Sequence, residues 1–240
     1  MLGGFPVIYG INPLASEASP SHQLGAVGYT ADGRKFRYCR NNVTNAMVAG
    51  TLQQARVEDT GDQSLVVAAA AIGATSVTTV GTPTLTANQY ANGYIVATGE
   101  AGTGNGIYYR IKSHPAVTAA VVTIELYDPL VVAFSATTQI DIVPNPYDFV
   151  LINPTTATSA PVGVAMTAVP ASYYSWIQTG GPGLVYADAS GAITVGAKVT
   201  ASNQTAGCCE DADVQTQATV GTALTGIAQA EWGLANLTID

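Results

Sequence analysis

The chain has 240 residues, of which 48% are apolar and only 10% charged, and it carries a net charge of −8 with a pI near 4.5. An average globular chain is roughly 25% charged, so Thr, Ser, Asn, Gln and Ala must cover most of this surface. The acidic balance argues against a grip on nucleic-acid phosphates, which takes the opposite sign, and the apolar run at residues 65–72 is too short to span a bilayer.

Twenty-five Gly and twelve Pro recur along the chain. Turn signals roughly every 8–12 residues predict an all-β fold of barrel-like or sandwich-like units. The expected organisation is an N-terminal extended arm followed by two small β units. Residues 1–60 read as arm and hairpin. Pro6, Pro13 and Pro20 punctuate them, and proline fixes φ and removes a ladder donor. Neither a basic n-region nor a long apolar h-region opens the chain, so no secretory signal is expected. The scattered apolar residues Leu2, Phe5, Val7, Ile8, Tyr9, Ile11 and Leu14 cannot form a core of their own and are expected to pack on a partner. Phe5, Tyr9 and Ile11 are the candidate anchors, because buried aromatic and aliphatic side chains dominate interfaces.

Ala31-Asp32-Gly33-Arg34 predicts a tight turn, and Lys35-Phe36-Arg37-Tyr38 alternates as an amphipathic strand. Half of the eight basic residues lie here, at Arg34, Lys35, Arg37 and Arg40. They read either as a solvated turn or as a contact for an acidic protein surface. Residues 45–57 are the best helix candidate, although Gly50 interrupts them.

Residues 61–145 predict a β-rich domain. Strand candidates fall at residues 75–80 and 93–98. Ile107, Tyr109 and Ile111 share one strand face, opposite Tyr108, Arg110 and Lys112. Val122, Ile124 and Leu126 share another, and Ile140 and Ile142 flank Asp141. Pro144 and Pro146 stiffen a boundary. Residues 146–240 predict a second β-rich domain with strands at 149–152, 162–166, 173–179, 184–187, 193–195 and 231–239. In the last, Trp232 and Leu234 share one face and Leu237 and Ile239 the other, which predicts a bulge near Asn236. Tyr173, Tyr174 and Trp176 alternate along one strand. They serve either as core plus exposed face or, for Tyr174 and Trp176, as a subunit interface.

No catalytic constellation emerges. Gly102-Thr-Gly104-Asn-Gly106 lacks the Lys-Ser/Thr of a phosphate loop and precedes a strand, so it reads as a hairpin turn. His22 and His114 have no nucleophile elbow to serve. The acidic groups Glu58-Asp59-x-x-Asp62 and Glu210-Asp211-x-Asp213 lack EF-hand spacing, leaving solvation or a loose calcium contact. Three cysteines, Cys39, Cys208 and Cys209, form neither a disulfide framework nor, with two histidines, a zinc site. The Asn-x-Ser/Thr matches at Asn42, Asn203 and Asn236 are expected by chance in a Thr-rich chain. The chain is therefore expected to be non-enzymatic, with no cofactor and no metal.

Several segments resemble structural proteins of tailed phages: Asp32-Gly-Arg-Lys-Phe-Arg-Tyr38, Ala87-Asn-Gln-Tyr-Ala-Asn-Gly-Tyr94, Tyr109-Arg-Ile-Lys-Ser-His-Pro115, Asn145-Pro-Tyr-Asp-Phe-Val150, Pro161-Val-Gly-Val-Ala-Met-Thr-Ala-Val169 and Tyr174-Ser-Trp-Ile-Gln-Thr-Gly-Gly-Pro-Gly183. Residues 146–240 are similar to the small β domain of lambda-type capsid decoration (cement) proteins. The resemblance implies a virion structural protein on the outer capsid surface, made in the host cytoplasm. It also implies the major capsid protein and further copies of itself, as a homotrimer, for partners. A tail or fibre protein for host-surface attachment is the alternative.

Overall fold

The computed structural model describes residues 7–99, 103–212 and 217–240. The fold is all-β, 41% strand, with several sheets and no α-helix among the described residues. The chain forms two units: residues up to Val57 together with Pro146–Asp240, and an insert, Glu58–Asn145. The boundary at residues 145 and 146 lies where the two prolines flank it.

From Val7 onward the N-terminal residues are drawn into a sheet and do not form an extended arm. Described residues up to 57 supply β1 (Val7–Tyr9), β2 (Ser16–Glu17), β3 (Val27–Tyr29), β4 (Lys35–Arg40) and β5 (Leu52–Gln54). All five join the same sheet as the C-terminal strands. Pro13 and Pro20 sit in connections between short strands, where no ladder donor is required. The β3–β4 hairpin is closed as expected by Gly33 N–H to Thr30 O at 3.0 Å and Thr30 N–H to Arg34 O at 3.2 Å. Phe36 and Tyr38 turn inward and are fully buried, each contributing about 2 kcal/mol of apolar burial. Residues 45–57 form no helix. Met47 bridges Val169 and β5 joins the sheet, because Gly50 at φ +72° breaks any helical run.

The insert contributes β6 (Leu65–Val66), β7 (Ser76–Thr78), β8 (Tyr94–Ala97), β9 (Tyr108–Ser113), β10 (Thr123–Leu126) and β11 (Gln139–Val143), in the order β6-β11-β8-β9-β10-β7. The sheet curls until its first and last strands meet, with Val67 bridged to Thr79 and Val80 N–H bonded to Val66 O at 2.7 Å. The alternation read from the sequence holds. Tyr109, Ile111, Ile124, Leu126, Ile140 and Ile142 fill one closed core. The β8–β9 connection is the expected hairpin, with Gly106 N–H bonded to Ala97 O at 2.9 Å. Gly102 of that run lies outside the described residues.

The first unit is completed by β12 (Leu151–Ile152), β13 (Pro161–Ala165), β14 (Tyr174–Tyr186), β15 (Lys198–Ala201), β16 (Cys209–Asp211), β17 (Thr219–Ala223) and β18 (Trp232–Thr238). Its main path is β1-β3-β4-β14-β18-β17-β15-β16. The strands expected at 173–179 and 184–187 are one 13-residue strand, β14. Its first half lies between β4 and β13; its second half is hydrogen-bonded to β18. Gly181 at φ +80° and a register shift between Gln178 and Gly180 let the strand change partners. Pro182 is tolerated because that stretch no longer pairs with β4. The buried Gln178 amide donates to the carbonyls of Gly180 and Pro182 at 3.1 and 2.8 Å. Its oxygen has no partner, and a flipped amide would set that oxygen against those carbonyls.

The bulge expected near Asn236 is absent. β18 runs in unbroken register against β14 from Thr238 to Trp232. Ala235 and Leu237 point inward, and Trp232 and Leu234 remain exposed. Residues 193–195 form no strand; Ile193 makes a single bridge to Ile227.

The core of the insert shares no residue with the clusters of the first unit. Scanning calorimetry should therefore resolve two transitions. Ile111→Ala is expected to destabilise one by about 2–5 kcal/mol, and Ile177→Ala the other by a similar amount.

Candidate interaction site

The basic residues of the β3–β4 hairpin and the strand beyond it meet carboxylates of their own unit. Arg34 Nε lies 2.8 Å from Asp32 Oδ2, and Lys35 Nζ lies 3.3 Å from Asp240 Oδ2. Arg37 also pairs with Asp240 and donates to Gly25 O at 2.9 Å. Arg40 holds Asp148 through two bonds of 2.6 and 2.9 Å while its guanidinium sits 3.7 Å above the Phe149 ring. The expected reserve of positive charge for an acidic partner is thus largely matched within the chain. Asp148, in the turn before β12, and Asp240, just beyond β18, are distant in sequence but lie beside these cations.

Beneath this hairpin the aromatic residues converge. Trp176 on β14 and Tyr38 on β4 face each other across the ladder, with ring centroids 5.1 Å apart. His22 lies 5.2 Å from Tyr38 and 5.3 Å from Trp176, and Tyr174 stacks on Tyr38 at 6.0 Å. The rings of His22, Tyr38 and Trp176, with Ile8, Ile11 and Glu17, border a cleft of about 290 Å³. Glu17 accepts hydrogen bonds from the Tyr38 hydroxyl and from the Ser21 hydroxyl and backbone N–H. Burial pushes its carboxyl up, but those hydrogen bonds outweigh burial and hold it below the ordinary range. Burial, followed by the bond to Glu17, pushes the Tyr38 hydroxyl up to about 12. The rings pack on one another rather than standing apart, so they form a rigid aromatic wall and not a cage around a cation. The Ser21 hydroxyl donates to Glu17, so it has no arrangement with His22 for nucleophilic attack.

Of the residues singled out by sequence, Ile11 and Trp176 line this cleft, and Tyr174 packs beside it on Tyr38. Phe5 lies outside the described residues. Tyr9 is 78% exposed and stacks on Tyr29 at 5.8 Å. Sequence reasoning passed over Glu17, His22 and Tyr38 as members of this cleft. The alternation of Phe36 and Tyr38 marked Tyr38 as inward-facing, but nothing local linked it to Glu17.

The remaining polar candidates are tied into the fold. His114 accepts from Tyr90 N–H at 3.1 Å, and Asp62 accepts from the Tyr90 hydroxyl at 2.5 Å. Asp59 caps its turn by accepting from Gly61 N–H at 3.0 Å, and Glu210 accepts from Asn203 N–H at 3.0 Å. Asp213 lies outside the described residues. Cys39, Cys208 and Cys209 are free and buried, and burial pushes each thiol up. Among the described residues no group of three or more His, Cys, Asp or Glu could hold a metal ion.

Comparison with protein-family models, characterised proteins and solved structures finds no match to this chain.

The hydrogen bond from Arg37, with charge from Arg37 and Lys35, holds the Asp240 carboxyl below its ordinary value against the effect of burial. Asp240→Asn should lower stability by about 1 kcal/mol or less at neutral pH. The pair contributes fully above the unfolded value near 3.8, and its contribution is lost as pH falls through the lower folded value. Denaturant titrations of wild type and variant should therefore converge in acid.

Proposed function

We propose that this chain is a non-enzymatic virion structural protein that decorates the outer surface of a phage capsid by binding the major capsid protein as a homotrimer. The observation that carries this reading is an all-β, charge-poor frame whose exposed side chains include large apolar and aromatic groups, with Tyr9 the most open of them. The segments that resemble phage head proteins supply the virion setting. The polar groups best suited to chemistry are engaged in structural bonds, with Glu17 held by Ser21 and Tyr38 and His114 by Tyr90. The net charge of −8 and the internal pairing of Arg34, Lys35, Arg37 and Arg40 favour a protein partner over nucleic acid.

A filled capsid bears outward load from its packaged DNA. A trimer that bridges neighbouring capsid subunits multiplies modest contacts through multivalency. Tyr9 suits such a contact because its ring stands out from an edge strand while Tyr29 supports it from behind. The aromatic cleft beside Glu17 favours a second reading, attachment to a host surface as a tail or fibre protein. Copy number separates the two: hundreds per particle for a decoration protein, few for a fibre.

Binding to undecorated capsid shells tests the first reading. Tyr9→Ala is expected to reduce shell occupancy at least tenfold, a loss of about 1.4 kcal/mol, with an unchanged melting temperature because the side chain lies outside the core. Wild-type occupancy by the variant would remove Tyr9 from the contact, and no binding by the wild-type chain would overturn the reading.

A further inference from the structure

The aromatic cleft of the first unit holds polar groups that the fold leaves unused. Glu17 takes all of its hydrogen bonds, from the Tyr38 hydroxyl and from the Ser21 hydroxyl and N–H, on Oε1. Its other oxygen, Oε2, accepts none among the described residues, and no Lys or Arg there pairs with the carboxylate. Asn12, which also lines the cleft, accepts from Leu14 N–H at 3.1 Å through Oδ1. That bond fixes which end of the amide is the oxygen, and its Nδ2 donates to nothing among the described residues.

The apolar part of the lining is fixed. Gly28 on β3 lets Ile11 meet Trp176: a Cβ there would fall 2.7 Å from the indole and 2.9 Å from Ile11. Trp176 and Tyr38 are 6 and 1% exposed, so neither side chain has to be ordered when a ligand enters.

Apolar walls with one open acceptor and one open donor suit a ring that carries hydroxyls on its rim and C–H groups on its faces. A hydroxyl both donates and accepts, so such a ring can engage Glu17 Oε2 and Asn12 Nδ2 together. Other ligand classes use less of the site. An anion is repelled by the Glu17 carboxylate, which stays charged because its hydrogen bonds outweigh burial. A purely apolar ligand would bury that charge unpaired. An organic cation would satisfy Glu17 but not Asn12, and the packed rings open no face to it. At about 290 Å³ the cleft lies at the lower end of ligand sites, with room for one ring rather than a chain. Glu17 is the one acidic residue among the described lining, so the second carboxylate that glycoside cleavage takes is missing.

We propose that this cleft binds one neutral pyranose unit without cleaving it, Glu17 accepting from one sugar hydroxyl and Asn12 donating to another. The proposal goes beyond capsid decoration and does not depend on it; it supplies the ligand class that attachment to a host surface would use.

Saturation-transfer NMR on the full chain with glucose, galactose, mannose and N-acetylglucosamine, titrated through the millimolar range where ligands of this size bind, tests it. At least one sugar is expected to bind. Glu17→Gln can put a donor in place of Oε2, and Asn12→Asp puts an acceptor in place of Nδ2, each at nearly constant shape. Each should weaken binding at least tenfold. Asn12 is exposed, so Asn12→Asp should keep the wild-type circular dichroism and melting temperature, and it decides alone if Glu17→Gln fails to fold. Tyr108→Ala, at an aromatic 67% exposed in the insert, should leave binding unchanged. The methyl glycoside of the bound sugar separates two sources: undiminished binding marks a glycan terminus, lost binding the free sugar. Wild-type affinity in the folded cleft variants would overturn the site. Binding of none of the four sugars, or tighter binding of butylammonium than of every sugar, would overturn the ligand class. Shell binding through Tyr9 is read separately, so the two readings fail independently.

Discussion

The first unit depends on one strand that changes partners partway along. β14 satisfies its backbone on both sides through its first half, between β4 and β13, and then carries on with β18. The change occurs at Gly180–Gly183, where glycine supplies the left-handed φ at position 181 and proline removes a donor that the switched pairing does not use. Through this one element the clusters around Ile177 and Trp176 are joined to the cluster around Val185, Ala235 and Leu237. The same strand therefore carries Trp176 of the aromatic cleft on its first half and Val185 of the second cluster on its second.

Scarcity of charge shapes everything outside the cores. With 10% charged residues, the molecule uses its cations locally. Arg40 is fixed by a bidentate bond to Asp148 and by the Phe149 ring, and Asp240 gathers both Lys35 and Arg37. Asp188, itself buried, accepts from the hydroxyls of Ser190 and Ser202. Burial pushes its carboxyl up, yet those bonds hold it below the ordinary range. Charges that are hydrogen-bonded at home add little to long-range steering.

The insert was the more legible half. Its strands alternate cleanly, and residues such as Ile107, Tyr109 and Ile111 need only the period of two to be placed on one face. Its β8–β9 hairpin is local and closed by a glycine turn, although β6, β7 and β11 find their partners across long stretches of chain. The first unit was harder to read because its partners are remote. β4 pairs with β14 across more than a hundred residues of chain, and the pairing of Tyr38 with Trp176 that builds the cleft exists only in that register. Proline at positions 13 and 20 signals interruption of a strand, but it does not reveal that the short pieces between interruptions will find edges contributed by the C-terminal half.

Composition and alternation by themselves determined that this chain is all-β, that its charge is sparse and acidic, that Asp32-Gly33 turns the first hairpin, and that a boundary falls between Pro144 and Pro146. These are properties of single residues and of neighbours a few positions apart, and local sterics suffice to set them. Only the tertiary structure decided that residues 7–57 join a sheet rather than form an arm, that the basic run is matched to Asp148 and Asp240, and that Trp232 and Leu234 face outward without a bulge. Each of these depends on which strand lies alongside, and a strand carries the same alternation whichever neighbour it takes.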